Sequence, residues 1–213
     1  MLLIPPRLQA GDTIGVVSPS NPVTDDLEDR FNAGIKWLEQ QGFSVRVGEH
    51  VRSTSWGHGA APQEKAEDIN RMFADRSISA ILCSQGGNTA NACLPYLDWE
   101  CIHVNPKIFM GISDITVLLN AIYAKTGMVT FHGNDVVWGF GCDPKEYDRE
   151  QFVSCLINAT TGVIPGLMER HAVRTGSAEG HLLGGNLRCL LKLAGTSYFP
   201  DMRGAILFLE ALH

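Results

Sequence analysis

No two cysteines of this chain stand at C-x-x-C spacing; Cys83, Cys93, Cys101, Cys142, Cys155 and Cys189 are scattered, mostly through apolar segments. That scatter excludes a zinc ribbon or a thioredoxin-type redox pair, and it suits free, small apolar side chains in a reducing compartment. No apolar run approaches the ~18 residues that a membrane helix needs. The amino end, Met1-Leu2-Leu3-Ile4-Pro5-Pro6-Arg7, lacks a basic leader, and its two prolines stop it short of a signal-peptide core. Basic residues are the minority, 17 against 23 acidic for a formal charge of −6, with no basic stripe for nucleic acid or an anionic membrane to bind. Internal repeats, low-complexity segments and metal-spaced histidines are also missing. A cytoplasmic protein with small or neutral partners is expected.

What is present is an alternation of β-like apolar runs and helical periodicity from Thr13 to about Gly162, the pattern of a parallel sheet with helices on both faces. Five strands are expected at Ile14–Val17, Phe43–Val47, Ile78–Cys83, Lys107–Met110 and Met128–Phe131. Leu27, Phe31, Ile35 and Leu38 share one helical face that Gly42 ends; Ile115, Leu118, Leu119 and Ile122 repeat the pattern before Gly127. Turn formers at Thr160–Gly166 interrupt the alternation. Residues 1–162 thus read as an α/β domain of flavodoxin-like type, and 163–213 as a linker and the first part of a second, β-containing domain. In that second part a polar β-like stretch is expected over Ala172–Leu183, a short helix over Leu187–Leu193 and a strand over Ala205–Leu209. Fifty residues build no independent core easily, so the remainder of this domain is expected beyond His213.

The segment Pro106-Lys107-Ile108-Phe109-Met110-Gly111-Ile112-Ser113-Asp114-Ile115-Thr116 runs an apolar strand through a glycine into a serine that opens a helix. A hydroxyl there suits a nucleophile, with free helical N–H groups beside it for an oxyanion. It suits an ordinary N-cap equally well, with Asp114 complementing the helix dipole. The second glycine of G-x-S-x-G is replaced by Ile115. Ser84-Gln85-Gly86-Gly87-Asn88-Thr89 follows the third strand, and its glycines allow close backbone approach to a ligand or form a plain turn. It has neither G-x-G-x-x-G nor a Walker lysine. Both loops lie at carboxyl ends of strands, where open α/β sheets place their ligands. Glu210 ends an apolar strand, either as a return to solvent or as a carboxylate that orients a histidine. Of seven histidines, His132 closes the fifth strand and reads as a structural residue, and His213 stands at the chain end. Gly180–Leu187 reads as a strand, a glycine turn and a helix capped by Asn186.

Taken in order, five motifs resemble the LD-carboxypeptidase family of serine peptidases, which includes muramoyltetrapeptide carboxypeptidases and microcin C immunity peptidases. They are Gly11-Asp12-Thr13-Ile14 with Ser18-Pro19-Ser20; Gly86-Gly87 with Leu94-Pro95-Tyr96-Leu97-Asp98; Pro106-Lys107 leading into Gly111–Thr116; Gly184-Gly185-Asn186-Leu187 with Leu193-Ala194-Gly195-Thr196; and Ile206-Leu207-Phe208-Leu209-Glu210. The resemblance implies a Ser-Glu-His triad in which Ser113 matches the nucleophile and Glu210 the carboxylate. It implies an oxyanion hole from the N–H groups of Asp114 and Gly87, substrate contacts at Gly86 and Asn88, and no metal or organic cofactor; a homodimer is expected.

Two departures stand out. Ile112 occupies a position where the family usually has tyrosine, and the family's glycine-histidine motif lies beyond the position that Glu210 matches. A serine without its base is a poor nucleophile, so these 213 residues alone are expected to have little peptidase activity. Asn105-Pro106-Lys107, Asn88, Thr126-Gly127 and Phe131-His132-Gly133 look closer to the microcin-immunity branch, whose substrates are peptidyl nucleotides. A catalytically inactive binding protein on the same fold, and a nucleotide-binding domain resting on the glycine loops alone, are the alternatives.

Overall fold

Five strands form a parallel sheet: β1 (Thr13–Val17), β2 (Ser44–Val47), β3 (Ile78–Cys83), β4 (Ile108–Gly111) and β5 (Phe131–His132), in the order β2-β1-β3-β4-β5. This is the flavodoxin-like order, with the chain reversing direction of travel between β1 and β3. The computed structural model describes residues 2–211. The three central strands are apolar on nearly every residue because helices cover both faces of a parallel sheet. Ile81 and Phe109 point into one core layer with Ile69, Phe73, Leu118 and Ile122. Their neighbours Leu82, Ile108 and Met110 point into the opposite layer with Phe31, Leu38, Val136 and Phe152.

The helices on the first face are α2 (Pro62–Ala74), α3 (Trp99–Val104) and α4 (Thr116–Thr126); α1 (Glu28–Gln40) and α5 (Glu146–Phe152) lie on the second. Gly42 and Gly127 take positive φ of 92° and 74° just after α1 and α4, as the helix-stop reading requires. Leu3 adds one bridge beside Met128, extending the pairing next to β5. Among the described residues no helix is long and apolar enough to cross a membrane. Cys83, Cys93 and Cys189 are buried, while Cys142 and Cys155 are exposed.

Beyond residue 158 the structure departs from the sequence pattern. The stretch expected as β over Ala172–Leu183 has regular structure only at its end, where β6 spans Leu182–Asn186. Its residues from 172 to 180 are exposed and alternate no apolar face, and pairing begins only at His181, whose carbonyl accepts from the Ile206 N–H (2.8 Å). The glycines expected to make a turn lie inside β6 instead, Gly184 and Gly185 at φ 132° and 121°. The reason is crowding: a Cβ on Gly184 would meet the Phe208 carbonyl oxygen at 1.9 Å, and one on Gly185 the Thr116 hydroxyl at 2.5 Å. β6 pairs in parallel with β7 (Ile206–Glu210), which sets Asn186 opposite Glu210. Between them α6 (Leu187–Leu191) starts at Asn186, whose side chain accepts from the Cys189 N–H and caps the helix. The pair docks on α4 through Asn120, which donates to the Gly184 carbonyl (2.8 Å) and accepts from its N–H (3.3 Å). The Asn186 N–H donates to Thr116 Oγ1 at 2.9 Å.

Candidate active site

The carboxyl ends of β1, β3, β4 and β5 open onto one edge of the sheet, and Ser113 stands there two residues past β4. Its φ is +60°, the left-handed region that a non-glycine residue enters at a cost of about 1–3 kcal/mol. A capping serine behaves otherwise, taking extended φ/ψ and accepting a backbone N–H. Ser113 does neither, and among the described residues its Oγ has no hydrogen-bond partner. The sharp turn depends on Gly111, where an added Cβ would lie 2.8 Å from Ile115 Cγ2. Ile115, standing where G-x-S-x-G has its second glycine, therefore packs on the first one.

Gly86 is pressed against the serine. A Cβ there would lie 2.9 Å from Ser113 Cβ, 3.1 Å from its Oγ and 3.5 Å from the Asp114 nitrogen. Gly87 has φ +146°, and a Cβ on it would meet Asn21 Oδ1 at 2.3 Å and Ser20 Oγ at 2.5 Å. Both glycines are thus demanded by close approach, one toward the strand-to-helix elbow at Ser113 and the other toward the loop after β1. Asn88 is exposed at the head of the same loop.

Asp114, which sequence reasoning assigned to the helix dipole, is fully buried. It accepts from Ser20 Oγ (2.6 Å), the Ala90 N–H (2.8 Å) and Lys192 Nζ (2.5 Å). Burial pushes its pKa up, but the bonds from Lys192, Ser20 and Ala90 outweigh that and leave it below the ordinary carboxylate value. Lys65, on the buried face of α2, donates to Thr89 Oγ1 (2.7 Å), and burial lowers its pKa against the opposing pull of Asp114. Two lysines therefore converge on a region with one buried carboxylate. Neither Lys65 nor Lys192 was picked out from the sequence. A lysine among the apolar positions of α2 was the available signal for the first; the second had none.

Glu210 ends β7, half-buried, opposite Asn186. Burial lowers the pKa of His132, and the charge of Glu210 partly restores it. The His132 ring meets Phe208 edge-on at 5.3 Å between centroids. His213 lies outside the described residues. A neighbouring cavity of about 640 Å³ reaches His132, Tyr123, Asn134, Gly184 and Phe208 without including Ser113. On the other side, Gln85 donates to the Pro22 carbonyl and accepts from the Trp138 indole (3.0 Å). Lys107, of the Pro106-Lys107 motif, lies at the opposite end of β4 from Ser113 and donates to the Met72 and Asp75 carbonyls at the end of α2. No group of three or more metal-ligating side chains occurs among the described residues.

Comparison with known proteins bears on this arrangement. A family model described as the LD-carboxypeptidase N-terminal domain matches residues 14–133, and one described as the LD-carboxypeptidase C-terminal domain matches 179–213. The microcin C7 self-immunity protein MccF of Escherichia coli is 32% identical, over 98% of this chain and 69% of that protein. A probable murein peptide carboxypeptidase of Bacillus subtilis is 34% identical, over 97% of this chain and 64% of that protein. The solved structure of MccF in complex with glutamyl sulfamoyl guanosine superposes with a TM-score of 0.86 at 32% identity, covering 99% of this chain and 71% of that one.

Proposed function

Because the chain belongs to the LD-carboxypeptidase family of serine peptidases, we propose that Ser113 is its nucleophile and that it attacks an amide near the carboxyl end of a peptide. The substrate is a murein-type peptide or a microcin-like peptidyl nucleotide, the two chemistries that the relatives' names carry. The observation that carries this reading is the strained turn: φ +60° at a serine that caps nothing, packed on Gly86 at the end of β4. A strand-to-helix turn of this kind pushes the hydroxyl clear of the backbone and leaves helical N–H groups beside it.

In the first step Ser113 Oγ adds to the carbonyl carbon, and the developing oxyanion is held by the N–H groups of Asp114 and Gly87. Gly86 and Asn88 line the approach of the substrate backbone. Glu210 orients the imidazole that takes the serine proton and returns it to the leaving amine. In the family pattern that histidine follows Glu210. The protein acts as a cytoplasmic homodimer. No cofactor takes part.

The test is covalent. A fluorophosphonate probe should modify the chain carried on through the family's glycine-histidine motif once, at Ser113 by peptide mass mapping, and should leave S113A untouched. Hydrolysis of an L,D-tetrapeptide by the 213 residues alone, without the family's histidine, should be absent or very slow. Stoichiometric labelling elsewhere, or none, would remove the nucleophile assignment. Brisk turnover abolished by S113A would show that a base within these residues suffices.

A further inference from the structure

The two N–H groups of the proposed oxyanion hole belong to separate loops, and among the described residues no backbone hydrogen bond joins residues 86–90 to residues 112–115. Their relative placement rests on side chains. Asp114 Oδ2 accepts from the Ala90 N–H (2.8 Å) and from Ser20 Oγ (2.6 Å), and Ser20 Oγ in turn accepts from the Thr89 N–H (3.3 Å). Lys192 Nζ closes the circuit from the other side, donating to Asp114 Oδ1 (2.5 Å) and to the Asn88 carbonyl (3.0 Å). Five bonds thus tie the elbow to the glycine loop, and every one passes through Asp114, Ser20 or Lys192.

We propose that the buried carboxylate of Asp114 is the positioning group of the oxyanion hole, held by Lys192, so that the hole is set only when the segment carrying β6 and α6 is docked. Lys192 follows directly on α6, in the part of the chain matched by the C-terminal-domain model. Asp114 is fully buried, and a carboxylate is kept ionised in such a place only by bonds of this kind. Its own N–H follows directly on Ser113, so a shift of the Asp114 backbone, once the carboxylate no longer anchors it, re-aims that donor. Docking of the second segment and alignment of the hole are therefore one event. This inference rests on the nucleophile assignment of Ser113.

The readout is acylation by a p-nitrophenyl ester, at pH 9, of the chain carried on through the family's glycine-histidine motif. The histidine takes the serine proton and the p-nitrophenolate leaves without needing one, so the rate reports attack and stabilisation of the oxyanion. Acylation at Ser113 is followed by p-nitrophenolate release and intact mass as a function of ester concentration. D114N and K192M should each lower the saturating acylation rate by about tenfold or more, a fraction of what deleting an oxyanion donor costs. The half-saturating ester concentration should stay within about twofold, because the donors are used in the transition state and not in the ground state. K192R should recover part of the rate, and S20A should fall between wild type and D114N. Thermal melting checks that each variant is folded; if D114N is not, K192M and S20A carry the test. Wild-type rates in folded K192M and S20A would overturn the positioning role while leaving the nucleophile in place. Absence of ester acylation at Ser113 in the wild type would overturn both.

Discussion

Ser113 and Asp135 show how much a single residue can hold in this fold. At φ +60° a side chain collides with its own backbone, a cost of roughly 1–2 kcal/mol that glycine avoids. S113G should therefore be more stable than S113A by about 1 kcal/mol in urea unfolding. Equal stabilities would show that the turn relaxes when the hydroxyl is removed. Asp135 caps the turn at residues 136–140, accepting from the Trp138 and Gly139 N–H groups. Burial nevertheless raises its pKa from 3.8 to about 6, the bonds from Trp138, Gly139 and Val137 offsetting only part of that. The folded state thus holds this proton more tightly than the unfolded chain does. The contribution is present in full below the unfolded value near 3.8 and is lost as pH rises through about 6; it amounts to about 3 kcal/mol. D135N should remove most of this pH dependence and gain about 1–2 kcal/mol at pH 7.5. Wild type and variant differing equally at pH 5 and pH 7.5, by equilibrium unfolding, would contradict it.

At the scale of elements, the glycine loop and the β6–β7 pair are held by few contacts, and each contact can be addressed. Asn120 is buried in α4 and joins Gly184 through both faces of its amide. N120A leaves the Gly184 N–H and carbonyl without those partners, a loss of about 1–3 kcal/mol. Hydrogen exchange of the amides of residues 182–186 should accelerate in N120A while that of β3 and β4 stays unchanged. No change in exchange at 182–186 would mean that β6 is held in place by Thr116 and its pairing with β7 alone. Helices read well at this scale because their signals are local: apolar spacing at three and four residues, with Gly42 and Gly127 as stops. The glycines of β6 misled because glycine has two uses, permitting a turn or permitting close approach. Which one applies depends on the Phe208 carbonyl and the Thr116 hydroxyl, atoms far away in sequence.

For the molecule as a whole, a central sheet in flavodoxin-like order sets one edge at which loops after β1, β3, β4 and β5 meet. The α/β class, the five strands and the elbow were legible because each is written in a short window. The strand-end positions of Ser113, Gly86 and Gly87 were legible in the same way, as small residues just past an apolar run. The network around Asp114 was not. Ser20, Ala90, Asp114 and Lys192 lie up to 94 residues apart for one bond and 78 for another, and none belongs to a pattern with a period. Asp114 in particular had a sufficient local explanation as a first-turn acid, and a local explanation gives no reason to look for a distant one.

By itself, then, the amino-acid sequence determined the alternation of strands and helices, the stops after α1 and α4, and the strand-glycine-serine turn, because these follow from side-chain periodicity and backbone sterics within a few residues. Only the tertiary structure decided that Ser113 is strained and uncapped, that Gly184 and Gly185 are strand residues, and that Asp114 is a buried carboxylate joining three loops to Lys192. Those outcomes depend on which surfaces the sheet brings within hydrogen-bond distance, and hydrogen bonds and excluded volume act between atoms without regard to their separation along the chain.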